Sequence, residues 1–224
     1  MKKDDMVNYT IAGEELFLLP EKAIFWLRKK SLFIADLHLG KSGHFRKAGI
    51  PVSSLVHHDD LNRLSAILAA WPVETIYLMG DLFHSFHNQE WKDFIDWRMQ
   101  YPQVIMHLIR GNHDILDDQF IHDGNIVLHD DSFIVEPFFL SHKPVESFST
   151  HYYQFYGHIH PGVRLNGKGL QSLSFPCFCF GSNAGVLPAF GAFTGHSVLK
   201  PSGGDAVFIV YNNLVKQIHH SHKL

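Results

Sequence analysis

The chain has 224 residues, of which 46% are hydrophobic and 18% are charged, and its formal net charge is −3. This length and composition fit one globular domain with a sizeable core, and we predict a single domain spanning residues 1–224. The slightly negative net charge argues against a function in which the protein coats nucleic acid through bulk positive charge. A local basic patch is still compatible with it.

Two further features concern location. No stretch reaches the ~18 apolar residues of a membrane span, and acidic residues stand near the N-terminus where a signal peptide needs an apolar core. The only cysteines, Cys177 and Cys179, are separated by one residue, which is too close for an ordinary disulfide, and no second pair completes a zinc ribbon. We therefore expect a cytoplasmic protein whose two thiols are reduced core residues.

Short apolar runs, each followed by a polar cluster, predict the secondary structure. Residues 8–11 and 15–18 form a predicted hairpin around Gly13, and strands follow over 23–27 and 31–36. Further along, we predict helices over 57–70 and 89–100, strands over 75–81 and 104–111, two strands within 126–142, one strand over 151–160, and mainly strands from 171 to 218.

The two predicted helices have distinct apolar faces. In the first, the apolar residues at 61, 64, 67 and 68 form a helical stripe that Pro72 ends. In the second, the residues expected to point inward are Trp91, Phe94, Ile95 and Met99. Early alternation of strand and helix, followed by a run of strands, predicts an α/β fold in which two mixed sheets pack together with helices outside.

Five polar clusters stand where apolar runs stop. They are Asp36-Leu37-His38, Gly80-Asp81, Gly111-Asn112-His113-Asp114, Ser141-His142 and Gly157-His158-Ile159-His160. Each cluster alone is a weak signal: a lone D-x-H more often ends a strand than holds a metal, whereas G-N-H-D is more specific. Functional sites of open α/β sheets collect at the carboxyl ends of strands, so five such ends carrying Asp, Asn and His predict one shared metal site.

The types of side chain narrow the choice of metal. Imidazole, carboxylate and amide oxygen without thiolate suit Mn, Fe, Zn or Ni. Seven such side chains suit two ions that share a carboxylate, for which Asp81 is the central candidate, and a water between the ions would lose a proton and act as the nucleophile. Residues two apart on a strand point to the same side, so we expect Asp36 with His38, and His158 with His160, to face common points.

In chain order the clusters give D-x-H, G-D, G-N-H-D, H and G-H-x-H, a pattern that resembles the calcineurin-like metallophosphoesterases. The resemblance covers residues 31–160 and implies that family's four-layer αββα sandwich, with two mixed β-sheets flanked by helices. It implies one divalent transition metal ion held by Asp36, His38, Asp81 and His160, and a second held by Asp81, Asn112, His142 and His158. It also implies that His113 is the general acid on the phosphate and that Asp114 orients its ring. One departure is His84, which stands where the family often has Asp or Asn.

Other segments resemble a narrower group, the bacterial ligase-associated DNA damage response endonucleases. The segments are ADLHLGKSGHFRKAGIPV (35–52), GDLFHS (80–85), GHIHPGVRL (157–165), PCFCF (176–180) and LPAFGAFTGH (187–196). The last is specific because metal binding alone does not demand it, although His196 stands where the group has a glycine. This resemblance implies Mn as the activating ion, and an ATP-dependent DNA ligase, a helicase and an exonuclease as partners in DNA repair.

Candidate substrate contacts lie outside the ligand set; they are Lys41, Arg46, Lys47, Arg110, Phe190 and Phe193. The three cations at 41–47 are expected to bind substrate phosphate, and a solvated loop is the alternative. For the arginine, a phosphate contact and a solvated side chain are both open. The two phenylalanines either stack on a base or pack into the core.

Together these patterns predict a dinuclear metal-dependent phosphodiesterase that acts as an endonuclease on DNA. A phosphodiesterase or nucleotide-sugar pyrophosphatase acting on a small molecule keeps the same chemistry and is the nearest alternative. A non-catalytic, metal-stabilised module of a repair complex is a third hypothesis, and the complete ligand set and His113 argue against it.

Overall fold

The structure is a computed structural model that describes residues 5–39, 56–83, 89–114, 118–167, 171–192 and 194–218. Sixteen strands in two sheets and three helices account for the described elements. None of these helices is long and apolar enough to cross a membrane.

The first sheet is mixed and has seven strands in sequence order. They are β1 (Val7–Ile11), β2 (Glu14–Leu19), β3 (Ala23–Trp26), β4 (Ser31–Ala35), β5 (Thr75–Met79), β6 (Ile105–Ile109) and β7 (Ile126–His129). Strands β1 to β4 pair antiparallel, and β4 to β7 pair parallel. The parallel half matters for function because its four carboxyl ends lie along one edge.

Three helices cover the outer face of this sheet: α1 (Val56–Ala70), α2 (Gln89–Arg98) and α3 (Asp118–Asp123). Leu64, Phe94 and Ile121 from the three helices share one buried cluster with Leu32 and Leu78 of the sheet. Alternate residues of β4 and β5 face the other way, so these strands are buried on both sides. That explains why they read as continuous apolar runs.

The second sheet is also mixed. Its strands are β8 (Ser132–Val135), β9 (Phe138–Ser141), β10 (Tyr153–Tyr156), β11 (Pro161–Asn166), β12 (Ser172–Phe180), β13 (Ala184–Val186), β14 (Ser197–Val198), β15 (Ala206–Tyr211) and β16 (Leu214–Ile218). Their order is β14-β11-β12-β13-β10-β9-β8, with β15 paired to β12 and β16 to β15. Strand β10 runs parallel to both β9 and β13.

Aromatic side chains fill the space between the sheets. The ring of Phe138 lies 4.9 Å from that of Trp26 and 4.8 Å from that of Phe155, centroid to centroid. Phe178 joins this inner cluster, whereas its neighbours Cys177 and Cys179 lie in a separate cluster on the opposite face of the sheet. Both cysteines are buried free thiols, which confirms the sequence interpretation of them as core residues.

The two packed mixed sheets and the helical layer agree with the α/β fold expected from the sequence. Among the described residues, no helix covers the outer face of the second sheet, so the second helical layer of the four-layer sandwich is not seen there. The fully buried residues of the outer cluster on that face, such as Val163 and Val207, all belong to strands.

Several local predictions were wrong. The segment 126–142 holds three strands rather than two, because turns at Asp130–Asp131 and at Glu136–Pro137 both divide its apolar run. Met99 is 74% exposed instead of inward, because α2 ends at Arg98. Strand β11 and the short helix α3 lack the periodicity that would have revealed them.

Candidate dinuclear metal centre

The polar clusters meet at one edge of the sandwich. Asp36 follows β4, Asp81 follows β5 and Asn112 follows β6 in the first sheet. His142 follows β9, and His158 and His160 follow β10 in the second. Because the two sheets pack face to face, the carboxyl ends of their parallel strands bring all these side chains together, as the sequence predicted.

The side chains are aimed by loops rather than by strand alternation, which corrects the expectation from the sequence. Five of them have left-handed backbones, with φ of 54° at Asp36, 50° at His38, 52° at Asp81, 67° at His158 and 50° at His160. Such a backbone costs a non-glycine residue roughly 1 kcal/mol or more, and strain of this kind concentrates at functional sites. His158 and His160 consequently reach two different clusters instead of one.

The first cluster comprises Asp36, His38 and His160. Nε2 of His160 lies 3.2 Å from Nε2 of His38 and 3.5 Å from Oδ1 of Asp36. Asp36 and His38 are buried, and His160 is partly exposed. Three ligand atoms converge here from both sheets.

The second cluster comprises Asp81, His142 and His158. Nε2 of His142 lies 3.0 Å from Nδ1 of His158, 3.1 Å from Oδ1 of Asn112 and 3.5 Å from Oδ1 of Asp81. Burial lowers the pKa of His158, and the neighbouring His142 acts in the same direction. Both effects favour the neutral imidazole, which is the form that binds a metal.

Asp81 connects the two clusters. Its Oδ1 faces His142, whereas its Oδ2 lies 3.5 Å from Nε2 of His38 in the first cluster. A carboxylate that points one oxygen at each cluster has the geometry of a bridging ligand. The two clusters therefore fit a dinuclear site with Asp81 between the ions.

The donor atoms fit metal ions better than they fit one another. Oδ1 of Asp36 is fully buried and takes no hydrogen bond from any described residue, although Oδ2 accepts the main-chain N–H of His158 at 2.8 Å. A buried carboxylate oxygen without a donor is costly unless a cation balances it.

Asp114 holds the loops of the site together. Its Oδ2 accepts the main-chain N–H groups of Asp81 and Gly111, each at 2.8 Å, and its Oδ1 accepts those of Leu82 and Phe83 at 2.8 and 3.2 Å. Both oxygens are thus committed to the main chain. This revises the expected role of Asp114, from orienting the His113 ring to fixing the Asp81 loop.

His113 lies beside the first cluster. Its main-chain N–H donates to Oδ1 of Asp81 at 2.9 Å, and its ring centroid lies 5.5 Å from that of His38. The residue is half-buried. The ring of His113 therefore lies next to the first cluster, and its role on the reacting phosphate stays a prediction.

Two glycines make the close packing of the site possible. A Cβ on Gly111 would overlap the main-chain nitrogen and Oδ1 of Asp81. A Cβ on Gly80, whose φ is +75°, would overlap the ring of His142. The glycines of the G-D and G-N-H-D motifs are therefore required by close approach to the ligands.

The segment Phe190–Ala192 braces the first cluster from behind. The N–H groups of Phe190 and Gly191 donate to the carbonyls of Ala35 and Asp36 at 2.8 and 3.1 Å. The Phe190 side chain is 0% exposed and belongs to the core under the helices, so it does not stack on a base. That part of the prediction was wrong, and core packing is the correct alternative for this residue.

A buried charge network on α1 fixes this segment. Asp60 accepts the N–H of Ala192 at 3.1 Å and pairs with Arg63 at 2.7 Å, and Arg63 also donates to the carbonyl of Phe190. Nζ of Lys22 donates to the carbonyl of Gly191 at 3.3 Å, and burial lowers the pKa of this lysine to about 8. Sequence reasoning missed Asp60 and Arg63, because they lie three apart on a helix in a region otherwise assigned by its apolar stripe.

Of the remaining candidate substrate contacts, the structure describes only Arg110. Nε of Arg110 lies 3.3 Å from Oδ1 of Asp130, and Nη1 donates to the carbonyl of Asp114 at 3.4 Å, so this side chain lies beside the site but is partly engaged. Lys41, Arg46, Lys47 and Phe193 lie outside the described residues. Their expected contacts stay predictions.

Comparison with known proteins supports the same chemistry. The chain is similar to the Pseudomonas putida nuclease MPE, with 29% sequence identity and a TM-score of 0.82 over 95% of this chain and 100% of that chain. A protein of unknown function from Aquifex aeolicus, AQ665, matches at 20% identity over 62% and 82% of the two chains (TM-score 0.43), and the E. coli phosphoesterase Yfce matches at 15% over 84% and 92% (TM-score 0.43). No protein-family model and no curated protein matches the chain significantly.

Replacing Gly111 with alanine should weaken metal binding. The new methyl group would push Asp81 away from its position between the clusters, and we expect the Kd for Mn²⁺ to rise ~10–100-fold, as for changes to groups that orient ligands. Titration calorimetry measures this directly. Gly204→Ala is the matched control because a Cβ there meets open space; equal Mn²⁺ affinity of the two variants would contradict the packing argument.

Removing the Asp60 carboxylate should destabilise the packing of the segment Phe190–Ala192 against α1. In Asp60→Ala, Arg63 loses its ion-pair partner, Lys22 loses a favourable neighbouring charge and the Ala192 N–H loses its acceptor, so the free energy of unfolding should fall by about 3 kcal/mol. Urea denaturation measures the change. The exposed neighbour Asp59 supplies the control, since Asp59→Ala should change stability by less than about 0.5 kcal/mol.

Proposed function

We propose that this chain, a metal-dependent phosphoesterase of the metallophosphoesterase type, is an endonuclease that hydrolyses phosphodiester bonds in DNA. The observation that carries the proposal is the pair of clusters joined by Asp81, which suits a reaction in which charge develops on several phosphate oxygens. The likeness to a nuclease over nearly the full length of both chains favours nucleic acid as the substrate.

The metal ligands are Asp36, His38, Asp81, Asn112, His142, His158 and His160, with Asp81 shared. Two bound divalent ions supply Lewis-acid stabilisation of the phosphate oxygens and an activated water as nucleophile. Nitrogen and oxygen donors without thiolate suit Mn, Fe, Zn or Ni. Among these we propose Mn²⁺ for both positions, because the resemblance to the ligase-associated endonucleases implies it.

The chain itself supplies the general acid. His113 stands next to the first cluster with its backbone fixed on Asp81, so its ring is positioned to donate a proton to the departing oxygen of the phosphodiester. Asp114 acts indirectly on the site, because its carboxylate fixes the main chain of Asp81 and Gly111. A role in DNA repair, the ligase, helicase and exonuclease partners, and a cytoplasmic location stay predictions from the sequence.

Metal dependence tests the proposal first. EDTA should abolish hydrolysis of both bis-p-nitrophenyl phosphate and single-stranded DNA, and Mn²⁺ should restore both. Cleavage of circular single-stranded DNA, which has no ends, demonstrates endonuclease action. Faster turnover of cyclic nucleotides or nucleotide diphosphate esters than of DNA would favour the small-molecule alternative, and full activity in metal-free enzyme would end the dinuclear hypothesis.

The role of His113 predicts a defect in turnover. His113→Ala should lower kcat by ~10²–10⁴, the usual value of a general acid, while leaving the Kd for Mn²⁺ within about threefold. The measurement is steady-state hydrolysis together with titration calorimetry. His151→Ala, at an exposed histidine before β10, is the control; turnover of the His113 variant near that of the control would refute the assignment.

A further inference from the structure

A groove of about 350 Å³ opens beside the second cluster. It is lined by residues of three segments: Arg110 and Asn112 after β6, the carboxylates Asp130 and Asp131 in the turn after β7, and His142, Lys143 and Val145 at the end of β9. Two of these, Asn112 and His142, belong to the candidate ligand set. The groove therefore begins at the metal centre and leads away from it, and its volume is that of a small-ligand site.

The two cations that line the groove, Arg110 and Lys143, differ in whether they are already paired inside the protein. The Arg110 guanidinium lies against Asp130 and the carbonyl of Asp114, so it is engaged inside the protein. The side chain of Lys143 is exposed, and within the described parts of the chain no carboxylate pairs with it. Lys143 is therefore the cation of this groove that can bind an anionic ligand without breaking an ion pair.

A buried glutamine fixes the main chain on both sides of Lys143. Gln154 of β10 is 1% exposed, and its Nε2 donates to Oγ of Ser141 at 2.7 Å and to the carbonyl of Lys143 at 3.3 Å. Its Oε1 accepts the N–H of Val145 at 3.4 Å, and Ser141 Oγ also donates to the Lys143 carbonyl at 2.7 Å. A buried amide is costly unless its groups are bonded, and here all of its bonds serve this one turn.

We propose that the groove binds the phosphate that flanks the scissile one in a nucleic-acid strand, with Lys143 as its ligand and Gln154 as the residue that positions the turn. The inference rests on the proposed function and makes it more specific. A strand whose reacting phosphate lies between the two clusters extends past Asn112 and His142 into the groove. A substrate with a single phosphate leaves the groove empty.

The experiment compares two substrates on the intact protein with Mn²⁺. In Lys143→Ala, the ratio of kcat/KM for a single-stranded oligonucleotide to that for bis-p-nitrophenyl phosphate should fall about tenfold through the oligonucleotide KM. Loss of one phosphate contact should also reduce the slope of log KM against log salt by about 0.7, the value for one contact on a single strand. Lys143→Arg should restore most of the loss, because it keeps the charge.

Lys216→Ala is the control, since this exposed lysine on β16 does not line the groove. An unchanged ratio and salt slope in Lys143→Ala, equal to those of the control, would overturn the inference while leaving the nuclease proposal intact. An equal loss on both substrates would also overturn it, because Lys143 would then act at the reacting phosphate. Failure of the unaltered protein to cleave the oligonucleotide, with bis-p-nitrophenyl phosphate hydrolysed, would reject the nuclease proposal itself.

Discussion

The position of the Asp81 carboxylate is the constraint on which the rest of the site depends. One oxygen must face His38 and the other His142, and those two side chains come from different sheets. The main chain around Asp81 is accordingly held on several sides: its N–H by Asp114, and its carbonyl by the N–H of His38. Gly111 leaves just enough room beside it. Together these contacts hold Asp81 where its two oxygens face the two clusters.

This precision has an energetic cost, which the surrounding structure must offset. Five ligand residues in left-handed conformations together cost roughly 5 kcal/mol, comparable with the whole net stability of a small protein. The aromatic layer between the sheets and the helical layer outside the first sheet supply the burial that opposes this strain. The segment Phe190–Ala192 stabilises the first ligand loop more locally, because it forms hydrogen bonds with the main chain of Ala35 and Asp36.

The sequence was most informative where spacing and chemistry coincide. The five clusters could be identified because each follows an apolar run, and the parallel sheet edges bring them together as strand ends must. It was less informative about how the ligands are aimed, because left-handed backbones at Asp36 and His38 leave no signature in residue type. Contacts between segments distant in sequence, such as Asp60 with Ala192 or Gln154 with Lys143, carry no local pattern and became visible only in the fold.

Both clusters take ligands from both sheets, which links metal binding to the packing of the fold. The first combines Asp36 and His38 with His160, and the second combines Asp81 with His142 and His158. An ion in either position would therefore join the two sheets at their common edge, and an ion in the first would also balance the buried charge of Asp36. Since the unfolded chain lacks these positions, every ion bound adds its binding free energy to the stability of the folded state. The strain of the ligand loops is therefore linked to the affinity for metal, because the costly conformations hold carboxylates and imidazoles close together where a metal ion would balance them.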